Sequence, residues 1–163
     1  MAGPSPRSPT LASEAAAAAD AAPGPRLDAA VTTIVRWSTR HDVRAEVMRR
    51  ARCDLPTSAV WLLGRVADCG PVHPSELAAF HQVDASTITP RLQRLEREGL
   101  VRREPDPLDG RAALVRATPA GTRLLARLHG ARQTLLEDIL HDWPPQRRAR
   151  VADALTELAE RLG

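Results

Sequence analysis

The chain has 163 residues, of which 43% are hydrophobic and 26% charged, a balance that suits one folded domain with a tail. Aromatic residues make up only 2%, which argues against single-strand binding by base stacking, because stacking needs several exposed rings. All 23 basic residues are arginine, so a P-loop lysine and a Schiff-base lysine are excluded, while the net charge of +3 is compatible with an acidic partner.

The cellular compartment is predicted from cysteine content and from apolar runs. Two cysteines are too few for a disulfide framework. No apolar run approaches the roughly 18–20 residues that a membrane-spanning helix needs, and the N-terminus lacks the pattern of a signal peptide. We therefore expect a cytoplasmic protein without membrane association.

The N-terminal part divides at about residue 27. Residues 1–26 are rich in Ala and Pro without an amphipathic pattern, which predicts a disordered tail. From Leu27 to about Ala51 apolar residues recur with a helical period, and Leu55-Pro56-Thr57 ends that helix. A second helix is predicted from Ser58 to Cys69, before the Gly70-Pro71 break.

Short elements follow in quick succession. A helix is predicted from Pro74 to about His81, and after a tight turn another runs from Ala85 to Glu98, with Gly99 as its left-handed terminal residue. Residues 100–104 and 111–116 read as two strands joined by a turn that contains Asp109-Gly110. Two strands are too few for an independent sheet, so the hairpin must pack on the helices.

The last third is predicted to be two helices. Thr118-Pro119 begins one that runs to about His141, and the other ends at Leu162. Both carry apolar residues at intervals of four, three and four, a spacing typical of helix-on-helix packing: Leu124, Leu128, Ala131 and Leu135, then Val151, Leu155, Leu158 and Leu162. These residues are more than one small domain can cover, which predicts a two-fold dimer that Leu128→Asp or Leu155→Asp would disrupt.

The helix over 85–98 has two chemically different sides. Ile88, Leu92 and Leu95 form an apolar stripe. The other side carries hydroxyl, amide and guanidinium groups that suit base edges and phosphates: Ser86, Thr87, Thr89, Arg91, Gln93, Arg94 and Arg97. In an isolated helix such arginines are ordinarily solvated surface balanced by acids, but the preceding helix, turn and following hairpin favour a DNA-recognition helix.

Pro90 lies in the second turn of that helix and removes one backbone hydrogen bond, to the carbonyl of Ser86. It either tilts the first residues of the recognition helix toward DNA or is a plain structural kink, and the sequence is compatible with both.

The segment LAAFHQVDASTITPRLQRLEREGLVRREPDPLDGRAALVRATPAG resembles the winged-helix core of the MarR (multiple-antibiotic-resistance regulator) family of bacterial transcription factors. The specific features are the joined run Leu92–Arg103, the Asp-x-Arg of the wing and the Thr-x-x-Gly that follows it. The resemblance implies a mainly α fold with a small β-hairpin: a winged helix-turn-helix over 57–117, flanked by dimerisation helices over 27–56 and 118–163.

The same resemblance implies a homodimer that binds a pseudopalindromic double-stranded operator and acts as a repressor. The helix over 85–98, Pro90 included, would lie in the major groove. Arg111 would enter the flanking minor groove with Asp109 holding it, and a two-residue spacing on a hairpin does place both side chains on one face. A guanidinium gains most from the negative potential of a narrow A·T-rich groove.

Such a regulator could respond to a small-molecule effector or to thiol oxidation. Trp37, His41 and Trp61 are candidates to line a cleft for a small aromatic or lipophilic effector, with Trp37 and His41 one turn apart on the first helix, although tryptophans are more often core residues. Cys53 follows several arginines, which favour a thiolate, and would serve a thiol-redox sensor; an inert thiol is the commoner case, and more so for Cys69.

Other classes of function have less support. The five histidines show no metal-ligand spacing, so neither a metal site nor a cofactor is expected. No arrangement of nucleophile and base or of paired carboxylates indicates an enzyme. The remaining alternative is a winged-helix adaptor for other proteins, which would not need hydroxyls and arginines on the face over 85–97.

Overall fold

The computed structural model describes residues 22–109 and 112–162. Residues 1–21 of the predicted tail over 1–26 lie outside the described residues, as do Gly110, Arg111 and Gly163. The chain divides into two units between Glu46 and Val47. In chain order the described elements are α1 (Pro23–Thr39), α2 (His41–Arg50), α3 (Thr57–Cys69), α4 (Pro74–Phe80), α5 (Ala85–Arg97), β1 (Val101–Pro105), β2 (Ala113–Ala117), α6 (Pro119–Ile139) and α7 (Pro145–Leu162).

The N-terminal helix begins earlier than predicted and is interrupted. Helix α1 already includes residues 23–26, with prolines in its first turn, where a missing N–H costs nothing. One continuous helix to Ala51 was the wrong prediction, because Arg40 has an extended backbone between α1 and α2. The hydroxyls of Ser38 and Thr39 donate to the carbonyl of Val35 at 2.8 and 3.0 Å, which competes with helical bonding at this end.

The Arg40 side chain also stabilises the break. It donates two hydrogen bonds to the carboxylate of Asp42 in the first turn of α2, at 3.0 and 2.6 Å. These bonds lower the pKa of the Asp42 carboxyl and keep it charged near the positive end of that helix.

The second unit is a winged helix built on one apolar core. Every element from α3 to the first half of α6 contributes to it, and its least exposed large side chains are Leu62, Leu63, Val66, Leu77, Ile88, Leu92, Leu95 and Val115. The hairpin is antiparallel and runs from the pair Val101–Ala117 to the pair Pro105–Ala113. This confirms the predicted fold class, although both strands begin one to two residues later than expected.

A third strand segment fixes the hairpin to the helices. Val72, just before α4, exchanges two backbone hydrogen bonds with Val115 of β2, at 3.0 and 2.9 Å. The sequence gives no sign of this single bridge, because one residue is too short for a strand pattern. It supplies the extra pairing that a two-stranded hairpin needs.

Helix α6 is buried in the core near its start and exposed further along. Leu124, Leu128 and Ala131 are buried in the core of the same chain, so the expectation that Leu128 belongs to a dimer seam was wrong. The period of four, three and four is the same for a core helix and for an interface helix, which is why the pattern could not separate them. Leu136 and Ile139, further along α6, are exposed.

The Thr-x-x-Gly motif that follows the wing consists of Thr118 and Gly121, and both residues shape the start of α6. The Thr118 hydroxyl donates to the carbonyl of Gly99 at 2.6 Å and accepts the N–H of Gly121 at 3.2 Å, which confirms the predicted helix cap. Gly99 has the predicted left-handed backbone, with φ of 67°. A Cβ on Gly121 would collide with the backbone carbonyl oxygen of Leu100, so only glycine allows α6 to start this close.

Gly121→Ala should therefore destabilise the fold by about 1–3 kcal/mol, the usual range for overpacking against atoms that cannot move away. Gly130→Ala in the same helix is the matched control, because its Cβ would meet nothing within 4 Å. For Gly130→Ala we expect the free energy of unfolding to rise by roughly 0.5–1 kcal/mol, because alanine has less backbone entropy than glycine in the unfolded chain. Urea unfolding followed by circular dichroism measures both, and equal effects would contradict the close approach.

Candidate nucleic-acid interface

The turn between α4 and α5 sets the direction of α5. The N–H of Val83 donates to the carbonyl of Ala78 at 3.1 Å, and Gln82 has a left-handed φ of 50° at the end of α4. Val83 is partly buried against the core. Helix α5 is thus held at a defined angle to α4, as a helix-turn-helix requires.

Helix α5 has the two faces that the sequence predicts. Ile88, Leu92 and Leu95 are at most 1% exposed and form its buried face. On the other side Thr87, Arg91 and Arg94 are half-buried, and five further residues are exposed: Ser86, Thr89, Pro90, Gln93 and Arg97. The outward surface of α5 is therefore polar and basic.

The three arginines of α5 differ in what they contact. Arg94 pairs with Glu98 at 3.2 Å and donates to the backbone carbonyl of Asp54 at 3.4 Å. The Nε of Arg97 donates to the carbonyl of Gln93 at 3.4 Å. Within the described part of the chain, Arg91 has neither a hydrogen bond nor an ion pair, so its whole donor fork is available to a ligand.

Pro90 does not end the helix. Helix α5 continues from Ala85 to Arg97 through the proline, and the Thr89 hydroxyl donates to the carbonyl of Ala85 at 2.9 Å. The side chains that precede and follow Pro90 therefore stay on one continuous helical surface.

The described part of the wing is a closed turn. The N–H of Asp106 donates to the carbonyl of Ala112 at 3.1 Å, and the N–H of Ala112 donates to the carbonyl of Asp109 at 2.9 Å. Asp109 is exposed, whereas its predicted partner Arg111 lies outside the described residues.

A cleft of about 360 Å³ opens beside α5, on the surface of the winged unit. Its lining residues are Ser58, Trp61, Leu62, Phe80, His81, Ile88 and Arg91. Trp61 and Phe80 are 69% and 57% exposed, far more than apolar residues of a protein core. The cleft thus joins two exposed aromatic rings to a guanidinium of α5.

Polar atoms accompany these rings. Nε2 of His81 is buried and has no hydrogen-bond partner among the described residues, and the His81 ring meets the Phe80 ring edge-on at 5.4 Å. The Arg65 guanidinium lies 3.7 Å from the centre of the Phe80 ring. A few polar groups within aromatic walls are the usual composition of a small-molecule site.

The three residues expected to line an effector cleft have different environments. Trp61 lines the cleft just described. Trp37 is half-buried on α1 and His41 is exposed at the start of α2, so the break at Arg40 means that they are not one turn apart on one helix. Phe80 and His81 were missed, although Phe80 is the only phenylalanine and follows Leu77 and Ala78, which already fill the core side of α4.

The two cysteines have unequal exposure. Cys53 is 8% exposed and belongs to the apolar core, which restricts access to its thiol, while Cys69 is exposed. In the described ranges no three His, Cys, Asp or Glu side chains group in a way that could hold a metal ion. No helix among these residues has the length and apolarity to cross a membrane.

Comparison with known proteins shows similarity to one family model and to HTH-type transcriptional regulators. The model of the MarR family matches residues 59–113. The chain is 30% identical over 105 residues to YxaD, an uncharacterised HTH-type transcriptional regulator of Bacillus subtilis, a match that covers 64% of this chain and 73% of the relative. It is also 30% identical over 130 residues to ML2140 of Mycobacterium leprae, another uncharacterised HTH-type transcriptional regulator, covering 73% of this chain and 91% of that one.

Solved structures share the fold over most of the chain. Transcriptional regulator Tm0710 of Thermotoga maritima superposes with a TM-score of 0.67 at 26% identity, covering 86% of this chain and 94% of that one. MepR of S. aureus, solved with an oligodeoxyribonucleotide, superposes with a TM-score of 0.61 at 17% identity, covering 82% and 98%.

Proposed function

Because the chain belongs to the MarR family of transcriptional regulators, which are not enzymes, we propose that it is a homodimeric repressor that binds double-stranded operator DNA. In this proposal α5 enters the major groove, and the wing contacts the adjacent minor groove. Related surfaces on two subunits would then meet the two halves of a pseudopalindromic operator.

The outward face of α5 gives this proposal its main support. It combines hydroxyls, an amide and guanidinium groups on a helix whose other face is locked into the core, so these side chains have a fixed direction. The acids at the end of the helix are neutralised within the chain, since Glu98 pairs with Arg94, and Glu96 pairs with Arg103 at 3.3 Å. That leaves the Arg91 fork to meet base edges or phosphates.

Exposed apolar stripes support the dimer. On α1 they are Leu27, Val31, Ile34 and Val35, between 44% and 63% exposed, and on α7 they are Val151, Leu155, Leu158 and Leu162, between 36% and 80% exposed. No residue of either helix is buried. Contiguous apolar stripes on a single chain usually mark an interface, and a second copy presents the same helices for an isologous contact.

Selection of sequences from random duplex DNA with the wild-type protein tests DNA binding. The expected product is a pseudopalindrome bound with strong salt dependence. Failure to enrich any duplex would favour the alternative of a protein–protein adaptor. MepR, which shares the fold, was solved bound to an oligodeoxyribonucleotide, and this supports the first outcome.

Arg111→Ala should weaken binding most on operators with A·T-rich flanks, because a narrow minor groove is where its charge gains most. The loss should be about 1–3 kcal/mol on such flanks. Asp109→Ala, two residues before, should cause a smaller loss by releasing Arg111 from its orientation. Fluorescence anisotropy with A·T-flanked and G·C-flanked duplexes measures both variants, and equal behaviour on the two duplexes would leave the hairpin as a scaffold only.

The cleft beside α5 supports a regulatory role for a small aromatic or lipophilic effector. Trp61 and Phe80 offer rings for stacking, while Ser58, His81 and Arg91 offer polar atoms. Arg91 belongs both to this cleft and to the outward side of α5, so an occupant that engages it would compete with DNA. A core cysteine as redox sensor has less support, since Cys53 is buried.

The aromatic anion 8-anilinonaphthalene-1-sulfonate is a suitable probe of that cleft. Trp61→Ala should weaken its binding about threefold to tenfold, which is the worth of one aromatic pair. Trp143→Ala is the control, because Trp143 stacks instead on Arg147 at 3.9 Å, beyond the end of α6. Dye fluorescence reports both variants, and equal dye affinities for wild type and Trp61→Ala would show that the cleft does not bind the dye.

A further inference from the structure

The carboxylate of Asp106 is a charged group held almost out of solvent at the base of the wing. Its side chain is 10% exposed. One oxygen, Oδ1, accepts the N–H of Leu108 at 2.7 Å, and the other, Oδ2, lies 3.0 Å from Nε2 of His73. Burying a carboxylate is costly unless its oxygens are satisfied, and here Oδ1 accepts a backbone N–H while Oδ2 lies within ion-pair distance of an imidazole nitrogen.

The two partners belong to different parts of the winged unit. Leu108 lies within the wing turn and its side chain is 96% exposed, so only its backbone ties it to the protein. His73 directly precedes α4 and follows Val72, which is bonded to β2. The backbone N–H of His73 also donates to the Glu76 carboxylate at 3.1 Å, which fixes the start of α4.

Asp106 thus connects a fixed point of the helix-turn-helix to the interior of the wing turn. The strand pairing already holds β1 and β2 together up to the pair Pro105–Ala113. Beyond it the described backbone bonds join only wing residues to one another, namely Asp106, Asp109 and Ala112. The contact between Asp106 and His73 connects this turn to the start of α4.

We propose that Asp106 and His73 are positioning residues that hold the wing turn in a fixed orientation relative to α4, and so to α5. Neither side chain needs to touch DNA for this role. The inference rests on the proposed function, because it assumes that wing and α5 contact the same operator. A turn that keeps its orientation loses less conformational entropy when it binds, so the link should raise the affinity of the wing contact.

Matched variants separate this role from general stabilisation. His73→Ala and Asp106→Ala remove the link, whereas His73→Gln keeps an N–H donor at a similar reach. His141→Ala is the control, since it removes a His–Asp pair of 2.8 Å whose side chains are 71% and 81% exposed, near the end of α6. Each variant is compared with wild type on two duplexes that share half-sites and differ only in A·T-rich or G·C-rich flanks.

The expected result is a selective one. The preference for A·T flanks should fall about threefold to tenfold in His73→Ala and in Asp106→Ala, in the lower part of the range for coupled residues in contact. It should stay within twofold of wild type in His73→Gln and in His141→Ala, and affinity for the G·C-flanked duplex should be unchanged. Equal losses on both duplexes, or no change in preference, would overturn the positioning role.

A second measurement uses the free protein and needs no DNA. Hydrogen exchange at the Leu108 amide should accelerate in His73→Ala, although that variant retains the Asp106 acceptor, because the turn has lost its tether. Unchanged exchange there would overturn the proposal. If wild type showed no flank preference at all, the wing part of the proposed function would fail, and the exchange result alone would decide whether His73 restrains the turn.

Discussion

Leu155→Asp and Leu158→Asp are each expected to convert the dimer into a monomer and to lower operator affinity about 10³-fold, to the level of non-specific binding. Both leucines lie on the exposed stripe of α7, at 48% and 40% exposure. In an isologous interface one substitution places two carboxylates in apolar surroundings, and a monomer keeps one recognition helix only. Sedimentation velocity and DNA titration measure the two losses on the same sample.

Thr156→Asp is the matched control, because residue 156 lies off the stripe on the same helix. It should remain a dimer with wild-type affinity. Circular dichroism should show that all three variants are folded, since none of these positions is buried within the chain. A wild-type protein that sediments as a monomer and still binds the operator would contradict the dimer. Leu128→Asp is not a useful test, because Leu128 is in the core and its substitution would unfold the domain.

Arg91→Ala is expected to cost about 1–3 kcal/mol of operator affinity and to relax preference at one base position, as a guanidinium that contacts a base does. The reason is the unpaired fork of Arg91 among the described residues of α5. Arg91→Lys should keep most of the affinity for non-specific DNA but not the base preference, since an ammonium cannot make the two parallel hydrogen bonds. Anisotropy titrations on the operator and on single-base variants measure this.

Arg94→Ala and Arg97→Ala provide the comparison on the same face. Arg94 is already engaged by Glu98 and by the carbonyl of Asp54, so we expect it to contribute less than Arg91 to DNA affinity. Uniform loss across all sequences for Arg91→Ala would indicate a phosphate contact instead of a base contact. No loss for any of the three arginines would mean that α5 does not face DNA.

Local signals explain why the winged helix could be predicted from the sequence. The stripe of Ile88, Leu92 and Leu95, the left-handed Gly99 and the Thr118 cap each depend on residues within a few positions of one another. Such short-range constraints leave a recognisable pattern. The order of elements from α3 to β2 follows directly from them.

Contacts between residues far apart in the sequence could not be predicted. The apolar pattern of a helix also does not show which of its residues are buried in the core and which are exposed. Arg94 meets the carbonyl of Asp54, 40 residues away, and His73 meets Asp106 across the fold. The helix break at Arg40 involves no proline or glycine, so no helix-breaking residue indicates it in the sequence. The aromatic cleft arises only where the end of α4 and the middle of α3 come together, which requires the tertiary structure.

If two α5 helices of one dimer lie in successive major grooves, site-directed DNA cleavage from α5 should reveal both. Gln93→Cys, in a Cys69→Ser background, places a single exposed thiol on α5 for an iron–EDTA reagent, because Cys53 is buried. On the selected operator we predict two cleavage clusters related by the two-fold axis and about 10 base pairs apart, one helical turn. A single cluster, or cleavage spread evenly along the duplex, would be inconsistent with two recognition helices on one operator.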